Sequence, residues 1–137
     1  MNTVTVAVVV DRDISTVWSV FTLPEHIVQW NQASEDWHCP KATNDLVEGG
    51  HFSWTMAAKD ASASFDFEGT YTRVDIQALI EYTIIGGRKV SIRFEKAGEH
   101  STKVTETFEM ESENSEERQR EGWQAILESF KQHAERI

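Results

Sequence analysis

The sequence predicts an α+β domain in which a bent antiparallel sheet wraps around a long C-terminal helix. Residues 112–137 carry large apolar side chains at steps of three and four, which is the pattern of one helical face. Residues 37–110 contain segments in which apolar and polar residues alternate, as in strands with one buried face. Two short helical segments directly after the first strand interrupt this pattern once. The predicted order is β-α-α, then about six strands, then α.

The N-terminal part is predicted to form one strand and two short helices. Thr3 to Val10 is rich in β-branched residues, and alternate valines share one face of the strand. Asp11 or Asp13 is expected to cap the first helix, and Pro24 is expected to begin the second, because proline fits the first helical position. The expected inward-facing residues of these helices are Ile14, Val17, Trp18, Phe21, Ile27, Val28 and Trp30.

The central part is predicted to be a series of antiparallel strands. Pro40 to Gly50 is interpreted as a polar connection, Gly69 as a bulge or tight bend, and Gly86-Gly87 as a hairpin turn. The side chains expected to share the buried face are Phe52, Trp54, Met56, Phe65, Phe67, Tyr71, Ile80, Tyr82, Ile84, Val90, Ile92, Phe94, Val104, Phe108 and Met110.

The last predicted helix has two unlike halves. Ser112 or Ser115 can cap its start, but the apolar stripe begins only at Trp123. Residues 116–122 contain no large apolar side chain. This front half therefore either overhangs into solvent or covers a space that is not filled by protein.

Composition indicates a single cytoplasmic domain over residues 1–137, without a leader or membrane-spanning segment. Cys39 is the only cysteine, so no internal disulfide is possible. The 13 basic and 23 acidic residues give a formal charge of −10, which disfavours nucleic acids and anionic membranes as partners. Acidic residues cluster between Glu106 and Glu121 and form either a solvated face or a docking surface for a basic partner.

An ordered set of short segments resembles the START-like, or SRPBCC, superfamily, whose fold is called a helix-grip. More narrowly, it resembles the bacterial single-domain branch related to the activator of the heat-shock-protein ATPase. The matching segments include Leu23-Pro24-Glu25-His26-Ile27, Trp30-Asn31, Trp37-His38-Cys39-Pro40, Gly49-Gly50-His51-Phe52, Phe65-Asp66-Phe67-Glu68-Gly69, Gly87-Arg88-Lys89-Val90, Thr107-Phe108-Glu109 and Gly122-Trp123-Gln124-Ala125-Ile126-Leu127. Two departures are Val47, where relatives usually have a basic residue, and Gly86-Gly87, where they usually have Asp-Gly.

The resemblance implies a cavity between the long helix and the concave face of the sheet. Superfamily members bind lipids, hormones, polyketides or other hydrophobic molecules, and some catalyse cyclisation or condensation. The activator's second domain has no counterpart in this chain, so its co-chaperone activity is not implied. The candidate cavity residues, which could also simply fill a core, are Trp30, Trp37, Phe52, Trp54, Met56, Phe67, Tyr71, Tyr82, Ile84, Phe94, Glu106, Phe108, Gln119 and Trp123.

Glu106 is a weak catalytic candidate because alternation places it on the inward face with Val104 and Phe108. An inward carboxylate needs a partner or becomes protonated. It could pair with Arg88, Arg118 or a tyrosine hydroxyl, contact a ligand, or act as a general base. His38, Cys39 and His51 are metal-ligand types, but neighbouring strand residues point to opposite faces, so no metal or cofactor site is predicted.

Three functions remain open at this point. The first is a binding or carrier protein, monomeric or weakly dimeric, for a small hydrophobic or aromatic ligand. The second is a cyclase-type or hydrolase-type enzyme that uses Glu106 with Tyr71, Tyr82 or His51. The third is a protein-interaction module that uses the acidic C-terminal region. Because no acid, base and nucleophile occur at a recognisable spacing, the sequence favours binding over catalysis.

Overall fold

The structure, a computed structural model, describes residues 2–137 and contains seven strands and three helices within them. In chain order, these elements are β1 (Thr3–Val10), α1 (Ile14–Thr22), α2 (Pro24–Trp30), β2 (Trp37–Asn44), β3 (His51–Ala58), β4 (Ser64–Asp75), β5 (Leu79–Ile84), β6 (Lys89–Gly98), β7 (Ser101–Glu109) and α3 (Glu116–Glu135). The order and the α+β class confirm the sequence-based prediction.

The seven strands form one antiparallel sheet in the order β1-β7-β6-β5-β4-β3-β2. The first strand therefore pairs with the last, with Val6 opposite Glu106 and Val10 opposite Thr102. The other strands follow one another as successive hairpins. Because alternation directs one face of every strand inward, the curled sheet buries a single concave face against the helices.

The back half of α3 packs on this concave face together with α1 and α2. Leu127, Phe130 and Ala134 are fully buried. Phe130 lies edge-on to both Phe21 and Trp30, with a centroid separation of 5.1 Å in each pair. Edge-to-face aromatic contacts of this kind add to the energy of burial. This cluster fixes α3 against the two short helices and leaves the front half of α3 over β3–β7.

Both ends of α3 are held by specific contacts. Ser115 is the N-cap, and its hydroxyl accepts from the amide of Arg118 at 3.1 Å. At the other end, Arg12 donates to the carbonyl oxygen of Glu135 and, at 3.1 Å, to that of Ile137. Lys131 Nζ donates to the carbonyl of Val9 at 2.8 Å. The helix is thereby pinned along β1 as well as packed on the sheet.

Three local predictions need correction. The segment from Pro40 to Gly50 is not all connection, because β2 continues to Asn44 with a register shift between His38 and Lys41. Proline, which lacks an N–H, is tolerated there because β2 is an edge strand. The Asp13 side chain makes no capping bond but lies 3.0 Å from His100 Nδ1.

Gly69 is not a bulge, since it pairs regularly with Phe52 and Ile84, and the register shift falls between Tyr71 and Arg73. A Cβ atom at Gly69 would come within 2.7 Å of the Phe52 ring and 2.6 Å of the Thr83 carbonyl oxygen. Glycine is therefore required here by the close approach of an aromatic ring to the backbone.

Candidate functional site

A cavity of about 350 Å³ lies between the front half of α3 and the concave face of the sheet. Its floor comes from β3, β4, β5 and β7, its cover from α3, and one side from the ends of α1 and α2. The lining residues are Phe21, Trp30, Asn31, Ala33, Trp54, Met56, Phe65, Phe67, Tyr82, Arg88, Glu106, Arg118, Gln119, Gly122, Trp123 and Ile126. The volume is at the lower end of the range of roughly 300–1,000 Å³ for small-molecule sites.

Gly122 is the residue of α3 that leaves this space open. A Cβ atom added there would meet nothing within 4 Å apart from the helix itself. Glycine in a helix interior costs about 1 kcal/mol relative to alanine. A larger side chain would fit at this position and favour the helix, so close packing does not require glycine here.

Aromatic rings form most of the walls. Trp54 and Phe67 stack with a centroid separation of 5.6 Å and an interplanar angle of 1°. Trp123 stacks on Phe108 at 4.2 Å and lies edge-on to Phe67 at 6.3 Å. These contacts fix the positions of two tryptophans and one phenylalanine of the cavity lining, and aromatic side chains of this kind pack favourably against planar apolar molecules.

Glu106 is the only acidic residue in the lining, and it is 7% exposed. No other side chain of residues 2–137 forms an ion pair with its carboxyl group. Burial without a compensating charge raises the pKa of Glu106 to about 8. The carboxyl group is therefore mostly protonated at neutral pH, and in this form it can both donate and accept a hydrogen bond.

Tyr82 stands beside Glu106. Its pKa is raised well above the ordinary value, chiefly by burial and further by the charges of Glu106 and Tyr71, while Arg88 acts in the opposite direction. The phenol is therefore a neutral hydroxyl group at physiological pH.

Two further lining residues, Asn31 and Trp54, carry buried side-chain nitrogens. The Asn31 side chain hydrogen-bonds with the Cys39 thiol, which partly offsets the rise that burial causes in the pKa of that thiol. The indole of Trp30 donates to the Val20 carbonyl at 2.8 Å. Buried donors are nearly always paired in folded proteins, and the indole nitrogen of Trp54, which has no partner within the described chain, is an exception.

The structure brings many of the predicted cavity residues together. Those that line the cavity are Trp30, Trp54, Met56, Phe67, Tyr82, Glu106, Gln119 and Trp123. Of the partners considered for Glu106, Arg88 and Arg118 also line it, but neither lies within ion-pair distance of the carboxylate in the part of the chain described.

Six predicted cavity residues lie outside the lining: Trp37, Phe52, Tyr71, Ile84, Phe94 and Phe108. Phe108 is covered by the stacked ring of Trp123, and Phe94 packs against Trp18 and Phe21. Phe52 lies over Gly69, and the Tyr71 hydroxyl donates to Asn44. These residues belong to the packed core or to its border rather than to the cavity lining.

The structure changes the expectations for Gln119 and for the catalytic partners of Glu106. Gln119 lines the cavity, but its amide is already engaged. It donates to the carbonyls of Glu111 at 3.1 Å and Asn114 at 2.8 Å and accepts from the Glu111 amide at 3.0 Å. The proposed catalytic partners of Glu106 are also dispersed, since His51 contacts Thr70 and is absent from the lining.

Eight lining residues were not among the candidate cavity residues: Phe21, Asn31, Ala33, Phe65, Arg88, Arg118, Gly122 and Ile126. Phe21 and Ile126 belong to helical stripes that also build the core, so periodicity alone could not separate them from it. Asn31 directly follows Trp30, the last residue of α2. Its position next to a predicted cavity residue was the only feature of the sequence that could have indicated Asn31.

Within residues 2–137, no group of three or more His, Cys, Asp or Glu side chains is arranged to hold a metal ion. No helix in the same range is both long and apolar enough to cross a bilayer.

Comparison with known proteins gives consistent results. The model of the family described as activator of Hsp90 ATPase homolog 1-like protein matches residues 11–135. The solution structure of Chr148 from Cytophaga hutchinsonii is 51% identical, with a TM-score of 0.85 over 99% of this chain and 94% of that chain. The AHSA1-like protein from Aeromonas hydrophila is 38% identical, with a TM-score of 0.87 over 97% and 93% of the two chains.

Protein CV1439 from Chromobacterium violaceum shares the fold at 21% identity, with a TM-score of 0.87 over 98% of this chain and 99% of that chain. None of the curated proteins compared matches this chain.

Proposed function

The chain belongs to the activator of Hsp90 ATPase homolog 1-like family, and from this premise we propose that it binds or carries a small, hydrophobic aromatic molecule. The proposed site is the cavity between α3 and the sheet. The family fold is consistent with ligand binding.

The observation that carries the proposal is a cavity of about 350 Å³ that is lined mainly by aromatic side chains. Gly122 of α3 borders this cavity, and no residue of the described chain outside the helix lies close to the position that its Cβ atom would take. A protein interior normally fills such a space, because unfilled volume forfeits dispersion contacts. Here the space is bordered by Gly122, where a larger side chain would also favour the helix.

The chemistry of the lining supports binding over catalysis. The lining contains no serine, threonine, cysteine, histidine, lysine or aspartate among residues 2–137. Of the residues considered for an enzyme, only Glu106 and Tyr82 meet there. Tyr82 is a neutral phenol whose pKa is raised well above the ordinary value, so it is poorly suited to act as a base or nucleophile beside Glu106.

Replacing Gly122 tests the proposal. We expect wild-type protein to bind the uncharged fluorophore N-phenyl-1-naphthylamine, with a rise in its emission on entering the apolar site. Gly122→Leu should fill the cavity and weaken binding by about tenfold or more, since the incoming isobutyl group would occupy the ligand's space. Gly122→Ala, the matched control, should keep the affinity within about threefold.

Thermal unfolding of both variants should occur at or above the wild-type temperature, because both replace a helical glycine with a better helix former. Equal affinity of wild type and Gly122→Leu would place the fluorophore elsewhere and overturn the proposal. Failure of the wild type to bind would overturn it as well.

A further inference from the structure

Two arginines supply the charged hydrogen-bond donors of the cavity lining. The guanidinium groups belong to Arg88 and Arg118, whereas the other polar lining residues, such as Glu106 and Tyr82, can also accept. Guanidinium groups have no acceptor atoms. A ligand that pairs with these arginines must bring acceptors.

The two arginines make few competing contacts. The only side-chain hydrogen bond of Arg88 in the described chain is a long one, 3.4 Å, to the Glu109 carbonyl. Arg118 uses its backbone amide in the N-cap, and its guanidinium forms no ion pair within residues 2–137. Planar guanidinium groups bind carboxylates through paired, charge-assisted hydrogen bonds, which are stronger than neutral ones.

The charge of this wall is opposite to that of the whole chain. The chain carries a formal charge of −10, whereas the lining holds two arginines and one carboxyl group. Burial keeps Glu106 protonated at neutral pH, so it does not offset the arginines. The charged side chains of the lining are therefore mainly cationic, with Arg118 exposed at the cavity's outer side, and this favours an anionic over a cationic ligand.

The arginines and Asn31 stand at different ends of the cavity. Arg118 lies in the first turn of α3, whereas Ser129 Oγ donates at 2.7 Å to the carbonyl of Trp30, the residue before Asn31. Positions 118 and 129 are about 16 Å apart along a helix axis. The aromatic side chains of Trp54, Phe67 and Trp123 line the space between these ends. The arrangement fits a flat molecule with its anionic group at one end.

We propose that the ligand is an aromatic carboxylate whose ring system lies among Trp54, Phe67 and Trp123 and whose carboxylate is bound by Arg88 and Arg118. This inference rests on the proposed function, since it names the class of molecule that the same cavity receives.

The test compares two probes of nearly equal shape, 2-naphthoate and uncharged 2-naphthamide. Both are titrated at pH 7 into ¹⁵N-labelled protein, and backbone and indole N–H signals give the dissociation constants. We expect 2-naphthoate to bind wild type about tenfold more tightly than 2-naphthamide, as for a gained charge-assisted contact. Arg88→Gln and Arg118→Gln should each weaken naphthoate binding by about tenfold and change naphthamide binding less than twofold.

Arg93→Gln is the matched control, because Arg93 is exposed on β6 and absent from the cavity lining, yet its loss changes the net charge equally. It should leave both affinities unchanged. If naphthamide binds as tightly as naphthoate, or if the two cavity variants behave like Arg93→Gln, the carboxylate inference is overturned while hydrophobic binding stands. If neither probe binds, the proposed function fails with it.

Discussion

Replacing Glu106 by glutamine is expected to stabilise the protein, and increasingly so as the pH rises. Glutamine has the shape of the protonated acid and cannot ionise. Because Glu106 is buried without a charged partner, its pKa rises from 4.5 in the unfolded chain to about 8 in the folded one. The folded state then binds more protons than the unfolded state between these two values, so stability falls as the pH increases through this window.

The magnitude follows from the two pKa values. The contribution of Glu106 is fully present below about pH 4.5 and is lost progressively toward pH 8. At pH 7, the wild type should have lost about 3 kcal/mol relative to its low-pH limit, and at pH 5 less than about 1 kcal/mol. The Glu106→Gln variant keeps its stability over this pH range, because glutamine cannot ionise. The difference between variant and wild type should therefore grow by about 2 kcal/mol between pH 5 and pH 7.

Urea unfolding followed by tryptophan fluorescence at pH 5, 6, 7 and 8 measures this difference. Glu95→Gln, which removes an exposed carboxylate from β6, is the control and should not change the pH slope. A Glu106→Gln variant less stable than wild type at pH 7 would refute the reasoning. It would mean that the ionised carboxylate makes a stabilising contact with Arg88 or Arg118.

Two further substitutions test the surroundings of the cavity. Gln119→Ala should lower the free energy of unfolding in urea by about 2 kcal/mol, because three buried hydrogen bonds to the segment before α3 are lost. The control is Gln132→Ala, which removes an exposed glutamine from the same helix. An effect of Gln119→Ala no larger than that of the control would contradict this role. Gly69→Ala should lower the same quantity by about 2 kcal/mol or more, because its Cβ atom would strike the Phe52 ring and the Thr83 carbonyl. Wild-type stability in Gly69→Ala would show that the ring moves aside freely.

The element order could be predicted from the sequence because each element carries its own periodic signal. Alternation identified the buried faces of the strands, and the three-to-four-residue stripe identified the packed half of α3. The extension of β2 through Pro40 could not be predicted, because it depends on β2 being the last strand of the sheet. Sheet position is a tertiary property that proline alone does not reveal.

The cavity lining was only partly predictable for a related reason. Periodicity tells which face of an element a side chain occupies, but not what stands in front of it. Phe108 and Glu106 lie on the same face of β7, yet Trp123 covers Phe108 and leaves Glu106 open to the cavity. Likewise, Gln119 points inward as expected, but its amide is turned to the segment 111–114. Such distinctions arise from packing between distant residues.

The pairing of β1 with β7 has a consequence for how the chain folds during synthesis. The valine-rich β1 leaves the ribosome well before its partner strand, which ends at Glu109. At about 5 to 20 residues per second, roughly 5 to 20 seconds pass before that partner has been made. During this interval, the β1 segment has no pairing strand, and its valines remain exposed. This long-range pairing therefore leaves a strand-forming segment open to aggregation until its partner has been synthesised.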